Sequence, residues 1–264
     1  MVLCIAGSDP SAGAGLQADL KTVSALGGYA TTAVTAVTVQ STRGVCAVHA
    51  VPAEVVVAQV ETVVADIAPD AVKIGMTGSA AVTVALDEVL APLVDQGVPI
   101  VLDPVLAATS GDRLTDDDAL DDLRRLMTRS SLVTPNLLEA ATLAGTPTAR
   151  NVDGMLAQAV ALREQGAARV LLKGGHLEHE PQAVDVLLTD EGPALLRGPW
   201  VDSTATHGTG CTLSSAIATL VARGRSWPDA AAEAKTWLRD AIKAGEALEI
   251  GGGHGPVDHF HTAR

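Results

Sequence analysis

The sequence predicts an α/β fold, in which a central, mostly parallel sheet lies between helices on both faces. Three observations predict it. Short apolar runs alternate with stretches of helical periodicity, as they do in consecutive strand–helix–strand units. Hydrophobic residues make up 47% of the 264 residues, which is enough to bury both faces of a sheet. No repeat, low-complexity linker or composition break divides the chain, so we expect one domain over residues 1–264.

The first half of the chain predicts four strands and three helices. Leu16, Leu20 and Val23 are spaced i, i+4, i+7, which places them on one face of a helix that a glycine pair ends. Two further helices are predicted over Pro52–Asp66 and Ser79–Asp95. The predicted strands are the apolar runs Val2–Ala6, Ala30–Val39, Ala71–Gly75 and Pro99–Asp103.

The second half continues the alternation. Two short apolar runs predict strands, at Ser131–Thr134 and Val170–Lys173. The periodic stretches predict helices over Asp116–Met127, directly after Thr134–Glu139, over Leu213–Val221 and over Asp229–Leu248. The acidic run 116–118 is typical of the first turn of a helix, where negative charge is favourable.

Polar or glycine-rich segments follow most of the predicted strands. Because ligands bind beyond the carboxyl ends of the strands in open parallel sheets, we expect these segments to form one site. Their common position indicates a site more strongly than any one of them does. The segments are Gly7–Gly15, Gln40–Gly44, Gly75–Gly78, Asp103–Gly111, Thr134–Glu139, Lys173–His176 and Thr206–Cys211.

Charge and cysteine content exclude several classes of protein. The net charge is −13 and the isoelectric point is near 4.8, so a nucleic-acid partner is not expected. No apolar run reaches the roughly 20 residues of a membrane span, and the N-terminus lacks the basic region of a signal peptide. The three cysteines, Cys4, Cys46 and Cys211, show no zinc or disulfide spacing. We therefore expect a soluble, cytoplasmic protein.

The segment Thr206–Cys211 is the strongest candidate for chemistry, because small residues lead directly into an apolar helix. The free N–H groups and the dipole at a helix start favour an anion. A thiol in that first turn is expected to have a lowered pKa, and it would accept a proton from an alcohol or attack an electrophile. The alternative is a small buried cysteine that packs a tight turn. His207 either aids phosphate binding or caps the loop.

Three other strand ends carry charged or amide groups. Lys173 precedes two glycines and would neutralise a phosphate, or it is a solvated lysine in an exposed turn. The oxygens of Asp103, Asn136 and Glu139 are suitable ligands for Mg²⁺, directly or through water. The alternatives are a polar strand terminus for Asp103 and a helix N-cap for Asn136.

Two other motifs point elsewhere. Gly13–Ala18 matches a dinucleotide-binding GxGxx[G/A] pattern, but its glycines lie well beyond the first strand and no acidic ribose ligand ends the next strand. His254, His259 and His261 lie in a glycine-rich tail. They form a metal site or, as we expect, belong to a terminal segment that docks on the body of the protein.

Together these segments resemble the hydroxymethylpyrimidine/phosphomethylpyrimidine kinases of thiamine biosynthesis, within the ribokinase-like superfamily. The resemblance runs almost from end to end, and the combination of motifs is specific although each motif alone is not. The motifs that carry it are Ala6–Lys21, Lys73–Met76, Leu102–Val105, Thr134–Ala140, Lys173–His176, His207–Thr212 and the tail Gly255–His261. Many ribokinase relatives carry aspartate where Cys211 falls, whereas this kinase family has cysteine.

The resemblance implies a three-layer α/β/α fold and ATP-dependent phosphorylation of 4-amino-5-hydroxymethyl-2-methylpyrimidine, then of its monophosphate. It implies Cys211 as proton acceptor, with phosphoryl charge held by the amides of Gly208, Thr209, Gly210 and Cys211. It implies Mg²⁺ near Asp103 and Glu139, and ATP contacts from Lys173, Asn136 and His207. The implied substrate contacts are Gln40, Asp19, Gly7 and Met76, with a solvated helix residue as the alternative for Asp19 and a core residue as the alternative for Met76. A homodimer is common in this type of kinase, and a monovalent-cation requirement stays open.

Three alternatives remain. A vitamin B6 kinase is the nearest, because pyridoxal, pyridoxine and pyridoxamine also carry a hydroxymethyl group on an aromatic ring. A non-catalytic pyrimidine-binding sensor is a second, although the combination of Asp103, Glu139 and Lys173 with the Thr206–Cys211 loop disfavours it. An NAD-dependent oxidoreductase is a third, and it depends on Gly13–Ala18 alone.

Overall fold

The computed structural model describes residues 1–106, 120–175, 177 and 180–263. Within these ranges, nine strands form a single sheet in the order β3-β2-β1-β4-β5-β6-β7-β8-β9. The strands are β1 Val2–Ser8, β2 Ala30–Ser41, β3 Gly44–Ala50, β4 Ala71–Ile74, β5 Ile100–Leu102, β6 Leu132–Val133, β7 Val170–Lys173, β8 Ala183–Thr189 and β9 Gly192–Gly198.

Helices connect these strands and close the fold. They are α1 Gly15–Ala25, α2 Ala53–Asp66, α3 Ala80–Val89, α4 Ala91–Asp95, α5 Leu120–Arg129, α6 Leu137–Ala144, α7 Val152–Glu164, α8 Thr209–Ala222 and α9 Trp227–Gly245. A 3₁₀ turn over Glu246–Leu248 follows α9.

The central six strands run parallel, from β2 through β1, β4, β5 and β6 to β7. The three outer strands pair antiparallel, with β3 on β2 at one edge and β8 and β9 beyond β7 at the other. The carboxyl ends of the parallel strands therefore meet at one edge of the sheet, as the sequence predicts.

Two hydrophobic clusters fill the space on either side of the sheet. One face of the strands packs against α2, α3, α5, α6 and α7, with Leu3, Ile5 and Ile74 fully buried. The other face packs against α1, α8 and α9, with Cys4 and Val101 fully buried. The predicted three-layer arrangement, with helices on both faces of a mostly parallel sheet, is confirmed.

Several predicted elements differ from the structure. The helix predicted over Ser79–Asp95 is two helices, because it breaks at Leu90 just before Pro92. Strands β3, β8 and β9 and helix α7 were not predicted. The partly exposed residues of β3 and β9 form no apolar run. The first residues of the helix predicted over Asp116–Met127, including the acidic run 116–118, lie outside the described residues.

Within the described part of the chain, the helices are all too short or too polar to cross a membrane.

Candidate active site

A cleft of about 1170 Å³ lies at the carboxyl ends of the parallel strands. It is lined by almost every residue that the sequence predicts for the site. Those lining it are Gly7, Gln40, Met76, Asp103, Asn136, Glu139, Lys173, His207, Gly208, Thr209, Gly210 and Cys211. Asp19 does not line it. His176 and residues 107–111 of two predicted strand-end segments lie outside the described residues.

The loop before α8 is shaped by Gly208. This residue has φ +80°, in the left-handed region, and a Cβ atom there would collide with the carbonyl oxygen of Gly13. Glycine is therefore required both for the turn and for the close approach of two loops. The turn lets α8 begin at Thr209, with the first intrahelical bond from Thr212 N–H to the Gly208 carbonyl at 2.9 Å. The Thr209 N–H donates to the Thr206 carbonyl at 3.4 Å, and Gly210 and Cys211, the next two residues of the helix, line the cleft.

Cys211, the third residue of α8, lies at the inner wall of the cleft and is partly exposed there. The Gly15 backbone N–H donates to it. Burial raises the pKa of the thiol to about 11, although the ammonium of Lys73 acts in the opposite direction. The sequence-based expectation of a lowered pKa was wrong, because desolvation exceeds the lowering effects of the Lys73 ammonium and the Gly15 hydrogen bond.

A charged cluster forms the floor of the cleft beside this loop. Lys173 Nζ lies 2.8 Å from Asp103 Oδ1 and 4.0 Å from Glu139 Oε2. A Cβ atom on Gly210 would lie 3.2 Å from that same Nζ, so the start of α8 borders the cluster directly. Lys173 is therefore paired and largely enclosed, with 16% of its side chain exposed, which rules out the alternative of a solvated lysine.

The two carboxylates of the cluster differ electrostatically. Burial would raise the pKa of Asp103, but the ammonium groups of Lys173 and Lys73 outweigh it and lower the pKa below the usual range. Burial raises the pKa of Glu139 to about 7, against the lowering effect of Lys173. At neutral pH, Asp103 is ionised and Glu139 titrates.

Asn136 is the N-cap of α6, as one of its two predicted alternatives states. Its Oδ1 accepts the N–H groups of Leu138 and Glu139 at 2.9 Å, and Glu139 Oε2 accepts the Asn136 N–H at 2.8 Å. This capping box fixes the Glu139 carboxylate at the start of the helix. Asn136 also lines the cleft, so capping does not remove it from the site.

The described residues contain no group of three or more His, Cys, Asp or Glu side chains that would hold a metal ion by itself. Asp103 and Glu139 nevertheless fit Mg²⁺, which is commonly bound through one or two carboxylates together with phosphate oxygens and water. Both carboxylates lie within 4.0 Å of one ammonium group and line the same cleft.

Gln40, Met76 and Gly7 line another part of the cleft. Gln40 extends from the end of β2, where the Thr38 hydroxyl lies 3.2 Å from its Oε1. Met76 is 8% exposed, and its carbonyl accepts the Thr35 hydroxyl at 2.6 Å. A Cβ atom on Gly7 would collide with the end of the Met76 side chain, so glycine leaves the room that this residue fills.

Asp19 is the predicted site residue that the structure places elsewhere. Its side chain is fully buried, and both carboxylate oxygens accept from Lys73 Nζ, at 2.8 and 2.9 Å. Ser215 also donates to Asp19 Oδ1, at 2.7 Å. Asp19 lies on the inward face of α1, so its carboxylate is directed below the cleft and not into it. A direct substrate contact from Asp19 does not fit this position.

His207 joins the two glycine-rich loops. Its Nε2 lies 2.8 Å from Asp9 Oδ2 and 3.3 Å from the Ser11 hydroxyl. Asp9 also accepts backbone N–H groups of its own loop, and despite burial these bonds and His207 lower the pKa of Asp9 to about 2. This geometry favours the loop-capping role of His207. Sequence reasoning did not assign Asp9, although it lies within the first motif.

The C-terminal tail docks on the body of the protein, as expected. Gly255 accepts the His207 N–H at 3.0 Å, and His259 Nε2 lies 3.1 Å from the Thr212 hydroxyl. Burial lowers the pKa of His259 to about 4, so this histidine is neutral. The tail therefore supports the loop that carries Cys211.

Sequence reasoning also missed the part of the cleft that lies along α9. Lys235 Nζ is 2.5 Å from Asp185 Oδ2, and Trp200 and Arg239 line the same end. Asp185 lies on β8, and the periodicity of α9 gives no sign that its polar face borders a cleft. These residues could not be recognised before the antiparallel edge of the sheet was known.

Fold and cleft define the class of protein. The start of a helix borders a paired, largely enclosed cation and two carboxylates. A phosphoryl-transfer enzyme uses this set to position phosphate and neutralise its charge. A partly exposed thiol and the Gln40 amide line the same cleft. The site is that of a phosphotransferase of the α/β type.

Comparisons with known proteins narrow this class. Residues 9–258 match the family model for phosphomethylpyrimidine kinase. A hydroxymethylpyrimidine/phosphomethylpyrimidine kinase from Salmonella typhimurium is 48% identical, over 98% of this chain and 97% of that protein. The Escherichia coli protein of the same name is 47% identical with the same coverage. The chain belongs to the phosphomethylpyrimidine kinase family, and the predicted family and enzyme class are confirmed.

Solved structures agree with this assignment. A Clostridium difficile phosphomethylpyrimidine kinase is 37% identical, with a TM-score of 0.79 over 92% of this chain and 99% of that one. An ADP complex of Bacillus subtilis pyridoxal kinase is 30% identical, with a TM-score of 0.89 over 99% of this chain and 98% of that one. The predicted ribokinase-like fold is confirmed.

Proposed function

We propose that this chain transfers the terminal phosphoryl group of ATP to the hydroxymethyl oxygen of 4-amino-5-hydroxymethyl-2-methylpyrimidine, and then a second one to the resulting monophosphate. One observation carries the proposal. A single cleft brings Cys211 and the start of α8 together with the Lys173 cluster at one end and Gln40 at the other. The names of the two enterobacterial relatives include both activities.

The part of the cleft that Gln40, Gly7 and Met76 line suits the pyrimidine. The Gln40 amide both donates and accepts, and so it complements the paired ring nitrogen and amino group of an aminopyrimidine. Gly7 and Met76, which pack against each other in the cleft, would border the ring on an apolar side. This orientation would direct the hydroxymethyl group towards Cys211.

The charged end suits the nucleotide. Lys173 would contact the transferring phosphate, and Asp103 and Glu139 would hold Mg²⁺, which neutralises charge on the ATP phosphates when bound. The amides of Gly208–Cys211 would stabilise charge that develops on the transferred group. Asn136 and His207 would act mainly by holding Glu139 and the loop in place.

In the transfer step, a bond forms between the hydroxymethyl oxygen and the terminal phosphorus while the bond to the ADP oxygen breaks. The hydroxyl proton passes to the thiolate of Cys211, which the raised pKa makes the minor form of this side chain at neutral pH. Because the transition state of phosphoryl transfer is loose, the new bond from the hydroxyl oxygen to phosphorus is only slightly formed in it. The hydroxyl therefore becomes only slightly more acidic before the transition state, and its proton can be lost late. In the second reaction the acceptor is a phosphate oxygen, so proton removal is less demanding and the anion-binding groups carry more of the work.

Product analysis tests this proposal. The chain is incubated with MgATP and the free aminopyrimidine, and the products are followed by mass spectrometry. The expected result is a monophosphate that is converted to the diphosphate. Monophosphate alone would remove the second activity, and no phosphorylated product would reject the kinase assignment for this substrate.

A pyridoxal kinase is the second candidate. Structures of this fold include a Staphylococcus aureus pyridoxal kinase in complex with an ATP analogue and pyridoxal, 31% identical to this chain with a TM-score of 0.87. Measuring kcat/KM for pyridoxal and the aminopyrimidine separates the two candidates. We expect the aminopyrimidine to be preferred, and a clear preference for pyridoxal would reverse the proposed specificity.

We further propose a cytoplasmic homodimer. Val37 and Val39, on β2, are about half exposed, at 51% and 50%, and would be covered in a dimer. Sedimentation velocity tests the mass in solution.

Replacing K⁺ with Na⁺ or a bulky cation in the assay tests a monovalent-cation requirement.

A further inference from the structure

A buried ion pair lies beneath the active site, and the proposed phosphoryl transfer does not use it. Lys73 is the largest fully buried side chain among the described residues, and its partner Asp19 is fully buried too. Lysine and aspartate are rarely buried completely, and the desolvation cost of such a pair often exceeds its attraction. A stabilising effect therefore does not by itself account for a pair of this kind, and its neighbours in the structure indicate what else it does.

Two helices bring this pair next to Cys211. On α1, Gly15 and Asp19 are one turn apart, and on α8, Cys211 and Ser215 are one turn apart. The Gly15 N–H donates to Cys211, and the Ser215 hydroxyl donates to Asp19 at 2.7 Å. The two helices therefore meet through two successive polar contacts, one at the thiol and one at the buried carboxylate.

Lys73 reaches this contact from the sheet below. It lies on β4, between the two helices and the strand ends, and both of its bonds of 2.8 and 2.9 Å go to Asp19. A Cβ atom on Gly75 would lie 2.9 Å from its Nζ, so the glycine after β4 leaves the space that the ammonium occupies. Asp19 and Ser215 thus hold the ammonium at a fixed place under the start of α8.

We infer that Lys73 is a positioning residue for phosphoryl transfer, whose buried ammonium stabilises negative charge on the Cys211 sulfur while Asp19 and Ser215 hold it in place. The inference rests on the proposed role of Cys211 as proton acceptor. Lys73 would act only on the thiol that takes up the proton of the acceptor hydroxyl. It does not line the cleft, so it touches neither substrate nor nucleotide.

The electrostatics of the neighbouring groups agree with this role. Four charged groups act on Cys211: Lys73, Asp19, Asp103 and Lys173. Among them Lys73 has the largest effect on the thiol, and it lowers the pKa, whereas Asp19 and Asp103 raise it. Burial would lower the pKa of Lys73 itself, but Asp19, Cys211 and Asp103 hold it above the usual range, so the ammonium keeps its charge.

Lys73 and Asp19 therefore shift the pKa of the Cys211 thiol in opposite directions. A purely structural role of the pair would not produce opposite shifts, so the two variants give a test. The rate of Cys211 alkylation by iodoacetamide is measured against pH without substrate, in a Cys46→Ser background that removes the exposed thiol. The rate follows the thiolate fraction. Lys73→Met is expected to slow alkylation at pH 8 by about tenfold, which corresponds to one pKa unit.

Asp19→Asn is expected to change the rate in the other direction, with faster alkylation at the same pH. It also serves if Lys73→Met does not fold. Thr219→Val is the matched control, because it removes a buried hydroxyl one turn beyond Ser215 on α8 without changing any charge. Its alkylation profile is expected to match the parent.

Steady-state kinetics complete the test. Lys73→Met is expected to lower kcat by about tenfold, in line with the loss of thiolate, and to leave the KM values for MgATP and the pyrimidine unchanged. Unchanged alkylation in both variants, or changes in the same direction, would overturn the inference. Opposite shifts in a chain that phosphorylates no alcohol would instead overturn the proposed function and leave the charge effect standing.

Discussion

The Nζ atom of Lys173 lies 2.8 Å from Asp103 Oδ1, so the two side chains meet across the end of β6, which separates β5 from β7 in the sheet. The Asn136–Lys173 bridge and the bond from Lys173 N–H to the Pro135 carbonyl fix the backbone on which this ammonium stands. Thr134 adds a 3.1 Å hydrogen bond to the same Asp103 oxygen. The cation is therefore held in advance, at the border of the loop that would bind phosphate.

Replacing Lys173 should weaken nucleotide use more than pyrimidine use. Lys173→Met is expected to lower kcat/KM for MgATP by about 10²-fold or more, because a preorganised cation is lost and two buried carboxylates are left uncompensated. Steady-state kinetics with each substrate varied in turn measure this. Arg163→Ala, which removes a largely exposed ion pair with Asp190, is the control and should leave both parameters unchanged. Equal losses for both substrates would point to general disruption of the cleft.

Cys211 should be necessary for fast turnover. Cys211→Ala is expected to lower kcat by about 10²-fold, which is the usual loss for a general base. Cys211→Asp should recover part of that activity, since a carboxylate can accept the same proton. Both variants are compared by kcat and by thermal unfolding. Near-normal turnover of a folded Cys211→Ala variant would exclude the role of proton acceptor.

Gln40 should govern pyrimidine affinity. Gln40→Ala is expected to raise the KM for the pyrimidine by about tenfold, the value of one or two hydrogen bonds, and to leave the KM for MgATP unchanged. Ser41→Ala is the matched control, because Ser41 is the exposed neighbouring residue on β2 and does not line the cleft. If the pyrimidine KM is insensitive to the amide, Gln40 has no part in recognition.

Much of the site could be predicted because the chemistry lies at strand ends that the sequence makes visible. Asp103 ends an apolar run, Lys173 ends another, and the glycines before Cys211 lead into an apolar helix. In a parallel sheet those ends must converge, so the cleft follows from the strand pattern alone. Periodicity also gave most of the helix and strand positions.

Other features depend on tertiary packing and leave no local signal. Asp19 sits on a helix whose inward face is identified by its apolar residues, and no pattern shows that Lys73 reaches it from β4. The pKa of Cys211 depends on how far the cleft is desolvated, which a sequence does not show. Strands β8 and β9 are antiparallel additions at the edge, so the cleft wall that they complete was also missed.

Glu139 should make stability and activity depend on pH in opposite ways. Burial raises its pKa to about 7 from an ordinary value of 4.5, so the folded protein favours the neutral acid. Its stabilising contribution is therefore present below about pH 4.5 and is lost as pH rises through about 7. Compared with Glu139→Gln, the wild-type free energy of unfolding in urea should fall between pH 5 and pH 8. A pH-independent difference would contradict the raised pKa.

Over the same range, ionisation of Glu139 should favour Mg²⁺. The apparent affinity for Mg²⁺, measured from the dependence of rate on metal at saturating ATP, is expected to rise from pH 6 to pH 8 in the wild-type chain. Glu139→Gln should weaken Mg²⁺ at all pH values and flatten this rise. A steep rise that survives in the variant would assign the titration to another group.

Gly208 should be the least replaceable glycine of the Thr206–Cys211 loop. Two costs act on Gly208→Ala: a positive φ of +80° and the collision of a Cβ with the Gly13 carbonyl. Gly145→Ala separates them, because Gly145 has φ +68° at the end of α6 but nothing within 4 Å of the added atom. We expect Gly145→Ala to lose about 1 kcal/mol of unfolding free energy with normal kcat, as a left-handed alanine does. Gly208→Ala should lose more and lower kcat by about 10²-fold, since the donors of the loop must move away from the developing charge. If the two variants lose the same free energy of unfolding and keep the same kcat, the positive φ alone explains why Gly208 is required, and the contact between the two loops does not.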